Sequence, residues 1–203
     1  VLSRLDLLMR GSDLHVHQSW EAHNRRSLDA GEIPLWNPYA YGGSPAMAEL
    51  QSQTFYPPAI LLRWLPLNEY FSWSIALHLW VLGAGLYLLA RDIGVGRAAA
   101  TAGALAMVLC GSVTQRLYLG HFTVLETYAW FPLALAFARR GMTNGRLAPH
   151  PGLVAVLTIQ ILAGFPQGPA YTVAGLAGFA LFTVAWPESG RTYPRWRPLL
   201  QPV

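Results

Sequence analysis

The acids and imidazoles of this sequence gather in a few places beside long apolar runs. In "DLHVH", Asp13, His15 and His17 fall within five residues. On a helix Asp13 and His17, four apart, share a face. They could pass a proton between them or offer two ligands to a divalent metal. Two ligands do not complete a metal site, and Asp13 has the alternative use of a helix N-cap. His121 and Glu126 stand at the start of a later apolar run, "HFTVLETYAWFPLALAFA". Ionisable groups at membrane depth are costly and serve function when they are kept. Either residue could contact a phosphate or an acceptor, or make hydrogen bonds at an interface. Arg116, in "QRLYLGH", could pair with a phosphate as a cation or snorkel from an apolar helix. His78, mid-run in "ALHLW", reads as a packed histidine with a satisfied hydrogen bond. Asp29 and Glu32 flank the end of the same helix as Asp13, as reactive groups or as solvated charges.

A second set of residues suits sugar recognition. "GEIPLWNPYAYGGSPAMAELQSQTFYPP", Gly31 to Pro58, carries five prolines, three glycines and five aromatics but only two charges, Glu32 and Glu49. Trp36, Tyr39, Tyr41, Phe55 and Tyr56 could form a platform for sugar or lipid, or anchor at the headgroup level as amphipathic rings do. Asn37, Gln51 and Gln53 offer amide donors and acceptors to hydroxyls. Gln167 in "GFPQG" either lines the same cavity or sits in a plain turn.

These groups need elements to hold them, and composition says of what kind. Apolar residues make up 53% of the 203 and charged residues 12%, about half the usual charged share. Such a chain cannot coat a soluble surface, and a bilayer is the natural alternative solvent. All 14 basic residues are arginine, and the isoelectric point is about 9.5. Because the arginines edge the apolar runs and form no patch, nucleic acid is excluded as a partner. The single cysteine, Cys110, excludes an intramolecular disulfide and a CxxC metal site and reads as a small packing residue. The opening "VLSRLDLLMRGSDLH" and the ending "RPLLQPV" both predict a piece of a longer protein.

The hydropathy pattern divides the chain at residue 66. Spans need about 20 mostly apolar residues. The sequence predicts five: Phe71–Ala90, Ala98–Thr114, Phe122–Ala138, Pro151–Phe165 and Pro169–Trp186, the last two a hairpin broken at "GFPQG". Glycine and alanine in "GALAMVLCG" and "AGLAGFA" should let helices pack closely. The predicted fold is all-α: a multi-pass transmembrane bundle of about five spans over 67–186, an outer loop with interfacial helices over 1–66, and a cytoplasmic tail over 187–203. Orientation follows the arginines. "RDIGVGR", "RRGMTNGR" and the tail share the cytoplasmic side, and eight of ten acids lie on or near the outer one. The outer part begins with a helix over "SDLHVHQSWEAHNRRSLDAGE". Ser12 or Asp13 caps it, Gly31 stops it, and its thin apolar face of Leu14, Trp20 and Leu28 suits a membrane interface. "AILLRWL", Ala59–Leu65, is a second interfacial piece.

With its outer loop set between an interfacial helix and a span, "SLDAGEIPLWNPYAYGGSPAMAELQSQTFYPP" resembles the hallmark loop of YfhO-like bacterial membrane proteins. These are multi-pass proteins related to the GT-C glycosyltransferases. "GHFTVLETYAWFPLALAFARRG" and "ILAGFPQGPAY" resemble the spans that follow, so the likeness runs from about Ser12 to Trp186. The resemblance implies transfer of a sugar from a polyprenyl-phosphate-linked donor to a cell-envelope polymer or lipid acceptor outside the bacterial cytoplasmic membrane. It implies Asp13 as general base, taking the acceptor hydroxyl's proton as the lipid phosphate departs. Glu32, Trp36, Asn37, Tyr39, Gln51, Arg116, His121, Glu126 and Gln167 are the substrate-binding candidates that go with it. No cofactor is expected, and a divalent metal is left open. A transporter or flippase of lipid-linked sugars, or a non-catalytic envelope-assembly protein, would use the same cavity without chemistry.

Overall fold

A computed structural model describes residues 11, 13–143 and 150–185. Among them the chain is all-α, with nine α-helices, two short 3-10 turns and one isolated β-bridge. The expected cytoplasmic tail, the capping Ser12, Arg146 and Trp186 lie outside the described residues.

Helix α1, Asp13–Asp29, forms the outer layer with the loop that follows it. Gly31, at φ 74°, reverses the chain after α1, and the amides of Gly31 and Glu32 cap the carbonyls of Leu28 and Ser27; only glycine enters that region freely. The loop then folds through the bridge between Asn37 and Ser44 and through 3-10 turns at Ala46–Ala48 and Leu50–Ser52. Helix α2, Pro57–Leu62, starts on two prolines whose missing N–H groups cost nothing in a first helical turn. It leaves Leu61 and Trp64 exposed.

The face that α1 buries differs from the expected one. Leu14, His17, Glu21, His23 and Asn24 turn inward, while Leu28 stays exposed. Of these, Glu21 and Asn24 are paired with polar protein groups, which lets them be buried at little loss. Asn24 Nδ2 donates to the Ser52 carbonyl at 2.6 Å, and Thr54 Oγ1 donates to Asn24 Oδ1 at 3.3 Å. Glu21 accepts from Arg25 Nε at 2.9 Å and from Arg63 Nε at 3.1 Å and Nη2 at 3.2 Å. Arg25 Nη1 donates onward to the Leu65 carbonyl at 2.6 Å. The first outer helix, the loop and α2 are thereby tied together.

Beneath this layer the remaining helices alternate in direction around α3, Leu67–Asp92. The second pass is α4, Arg97–Val108, continued after a break at Leu109–Cys110 by α5, Gly111–Leu119. The third is α6, Phe122–Ala129, and α7, Phe131–Thr143, broken at Trp130 before Pro132. Helices α8, Pro151–Leu162, and α9, Gln167–Ala185, form the hairpin. Phe71 packs on Phe122 near the outer end, His78 lies against Trp130 below it, and Asp92 meets Arg140 at the far end. So α3 and the α6–α7 pass run parallel. Arg91, Arg97, Arg139 and Arg140 gather at the end opposite α1, as expected.

Among the described residues two helical passes are long and apolar enough to cross a membrane: Leu67–Asp92 and the α4–α5 pass, Arg97–Leu119. At 1.5 Å per residue the first reaches about 39 Å, enough for a hydrocarbon core of about 30 Å. Within their most apolar windows only 33% and 17% of residues are buried. The helix Pro151–Leu162 is apolar but shorter. Among the described residues five full-length spans are therefore not found: the third pass breaks at Trp130 and α8 is short.

Small residues do pack where the passes meet, though not uniformly. A Cβ on Gly168 would stand 2.2 Å from Thr127 Cγ2, and one on Gly85 would stand 3.0 Å from the Leu133 amide. Neither glycine is in the two expected stretches; of the glycines there, Gly175 packs, its Cβ position 3.0 Å from the Phe131 ring, while Gly103, Gly111 and Gly178 meet nothing within 4 Å. Gln160 pins α8 in place by donating to the Thr127 carbonyl at 2.9 Å and to Thr172 Oγ1 at 3.0 Å.

Candidate functional site

The outer end of the bundle brings Asp13 and His121 together across 108 residues of chain. The C-terminus of α5 is closed by Gly120, left-handed at φ 77°, with the His121 amide donating to the Arg116 carbonyl at 3.0 Å. Gly11 reaches the same turn, its amide donating to the Tyr118 carbonyl at 3.0 Å. A Cβ on Gly120 would stand 3.0 Å from the Leu14 amide and 3.2 Å from the Gly11 carbonyl. Glycine is required at this turn both for its φ and for the close approach. The result sets Asp13 Oδ2 3.6 Å from His121 Nε2, with the two side chains 54% and 35% exposed. A substrate can reach both groups.

His17 lies one turn below Asp13 on α1, buried between Trp20 and Phe122 with ring centroids 5.6 Å from each. Burial holds its pKa down at about 4; the Asp13 carboxylate opposes this and His121 adds to it. His17 is therefore neutral at pH 7, and its Nδ1 has no partner among the described residues. The expected sharing of a face by Asp13 and His17 is realised. No group of three or more His, Cys, Asp or Glu that could hold a metal gathers among the described residues.

One helical turn before His121, the Arg116 guanidinium lies 4.8 Å over the Tyr128 ring. Both residues line a groove of about 320 Å³ whose other walls include Leu82, Met107, Val113 and Phe131. A cation held over an aromatic face at the edge of an apolar groove suits an amphipathic molecule with an anionic head.

Glu126 is at the same end of the bundle but sealed from it. It is wholly buried, accepts from Gln53 Nε2 and Ser74 Oγ, and lies 3.5 Å from His78 Nδ1. His78 continues to the Tyr56 hydroxyl, to which Trp130 Nε1 donates at 2.8 Å, and Gln53 also donates to the Ala163 carbonyl at 2.8 Å. The expected histidine with satisfied hydrogen bonds is His78. Burial holds the Tyr56 hydroxyl protonated, its pKa pushed well up. This cluster joins the loop, α3, α6 and α8 and offers no path to a substrate, so Glu126 supports the site from below instead of lining it.

The loop candidates scatter. Glu32, Gln51 and Gln167 are exposed. Trp36 lays its indole over Gly43, where a Cβ would come within 2.6 Å of the ring, and Tyr39 sits under Arg26 at 5.9 Å. Asn37 is buried at the loop's bridge. None of these joins Asp13. Sequence reasoning missed the structural weight of Glu21, Arg63 and Gln53. A signal for the buried cluster was present in Ser74 and His78, polar residues four apart in an apolar run and so on one face. No family model, curated protein or solved structure matches the chain, so the function is argued from this geometry.

Proposed function

We propose that the protein is a membrane glycosyltransferase of the GT-C type, multi-pass in a bacterial cytoplasmic membrane, with α1 and its loop outside. It would move a sugar from a polyprenyl-phosphate-linked donor to a cell-envelope polymer or lipid. The observation that carries the reading is the Asp13–His121 pair, 3.6 Å apart and accessible, one helical turn from the groove headed by Arg116. Arg116 would hold the donor phosphate while the groove takes the first isoprene units. Asp13, oriented by His121, would take the proton of the acceptor hydroxyl as that oxygen attacks the anomeric carbon and the lipid phosphate leaves. The arginines at one end, the acids at the other, and five alternating passes with a largely unburied apolar exterior support the membrane orientation. The likeness of the loop sequence to YfhO-like proteins supports the same reading.

The test is sugar transfer from polyprenyl-phosphate-linked donors in membranes carrying the protein. Asp13→Asn should lower the rate by about 100-fold or more, the usual share of a general base. Undiminished transfer by a folded Asp13→Asn protein would remove the catalytic role. Donor translocation without transfer would point instead to a flippase using the same groove.

A further inference from the structure

The outer loop and α1 form a second, open cavity of about 180 Å³, which the proposed transfer chemistry does not use. We propose that it is a saccharide-binding site for a single sugar ring. Trp20 of α1 and Tyr41 of the loop supply aromatic walls, and Asn37, Ser44 and Glu49 supply polar ones. Sugar rings present C–H faces that stack on aromatics and hydroxyls that both donate and accept. That mixture is what this lining offers.

Asn37 is the informative residue. Its backbone is fixed by the two bonds to Ser44, at 2.8 and 2.9 Å, and its Oδ1 accepts from the Tyr39 amide at 3.0 Å. The residue is 5% exposed and lines the cavity, so its side-chain amide is held in one place at the wall. An amide fixed at the wall in this way can exchange hydrogen bonds with a ligand hydroxyl at little ordering cost. Tyr41 gives a second indication. It is a non-glycine residue at φ 54° whose side chain is 97% exposed. No packing of its ring repays that backbone conformation, and such strain recurs where a side chain is held for a ligand.

Size and charge narrow the ligand. Drug-sized sites run to about 300–1,000 Å³, so this one accepts one ring and not a chain. Glu49 is the sole charged residue lining it, and a carboxylate disfavours a phosphate or sulfate. The ligand is therefore a neutral sugar, distinct in chemistry from the lipid phosphate proposed beside Arg116. Its use as the acceptor end of a transferase rests on that proposal; its capacity to bind a sugar does not.

The experiment uses the methyl glycosides of glucose, galactose, mannose and N-acetylglucosamine with the protein in micelles, read by saturation-transfer NMR and by Trp fluorescence. At least one should bind saturably. Tyr41→Gly, which suits the positive φ, and Glu49→Gln should each weaken that binding tenfold or more, while Trp64→Ala, outside the cavity, should not. Saturable binding that survives both cavity substitutions, or no saturable binding by any of the four glycosides, would overturn the assignment. Binding in a protein that transfers no sugar would keep this site and remove the transferase.

Discussion

Glu21 is the residue on which the outer layer most depends, and removing it gives a calculable loss. Its carboxylate is 4% exposed and accepts from two guanidinium groups, Arg25 at 20% and Arg63 at 11% exposure. Deleting one partner of a buried ion pair costs about 3–5 kcal/mol, because the remaining charge is left unpaired. Here two arginines are stranded, but both keep backbone acceptors, Leu65 and Thr54, and both retain some solvent. The low end of the range therefore applies, and Glu21→Ala should cost about 3 kcal/mol. For a chain of this size each kcal/mol lowers Tm by about 2–4 °C, so the expected fall is about 6–12 °C. The measurement is thermal unfolding in micelles by Trp fluorescence, with Arg63→Ala and the double variant completing a cycle. Coupling between Glu21 and Arg63 should be about 1–3 kcal/mol. A loss below about 1 kcal/mol with no coupling would mean that the pair is solvated, as surface pairs are, and would refute the account of how α1 is held.

Two further outcomes follow from the same layer. His17 is held neutral, with its pKa lowered to about 4 from 6.5; the unfolded chain therefore binds the proton first on acidification. Its contribution is intact above about pH 6.5 and is lost as pH falls toward 4, at about 1.4 kcal/mol per pH unit, and His17→Phe should flatten that part of a stability–pH curve measured by urea unfolding. Gly164, at φ 87°, would put a Cβ 2.9 Å from the Leu50 carbonyl and 3.0 Å from Gln51 Cα. Gly164→Ala should cost about 2–4 kcal/mol, from left-handed strain of about 1–2 kcal/mol and displacement of the loop. Limited proteolysis should then cut the loop near Leu50 faster, and unchanged cutting would show that the contact is not needed.

Local signals in the sequence were readable because their causes are local. Gly31 ends α1 and Gly164 breaks the last hairpin, both with the positive φ that such stops require. The arginine-rich turns meet at one end, where Arg140 Nε lies 2.6 Å from Asp92 Oδ2. The breaks at Leu109–Cys110 and Trp130 were hidden, since apolar character continues across both. The inward face of α1 was misread for a different reason. Apolar spacing marks a helix that faces lipid or an apolar core, whereas α1 faces Ser52, Thr54 and Arg63, so its buried stripe is polar. The Gln53–Glu126 bond joins residues 73 apart in sequence, and no pattern of period 2 or 3.6 reports such a pair.

That distinction bears on which residues carry chemistry. Glu126, His78 and Glu21 have two attributes that mark functional ionisable groups: they are titratable and they are buried. Yet their side chains bond to protein groups, and what they do is fasten the loop and α1 over the bundle. Asp13 and His121 remain open to solvent, their side chains 54% and 35% exposed. Their separation is fixed instead from behind, by Gly11 and Gly120 and by the buried His17. An accessible pair over a rigid polar foundation is the arrangement that a reactive site needs. It follows that substitutions in the foundation should move stability and transfer together, whereas Asp13→Asn should move transfer alone.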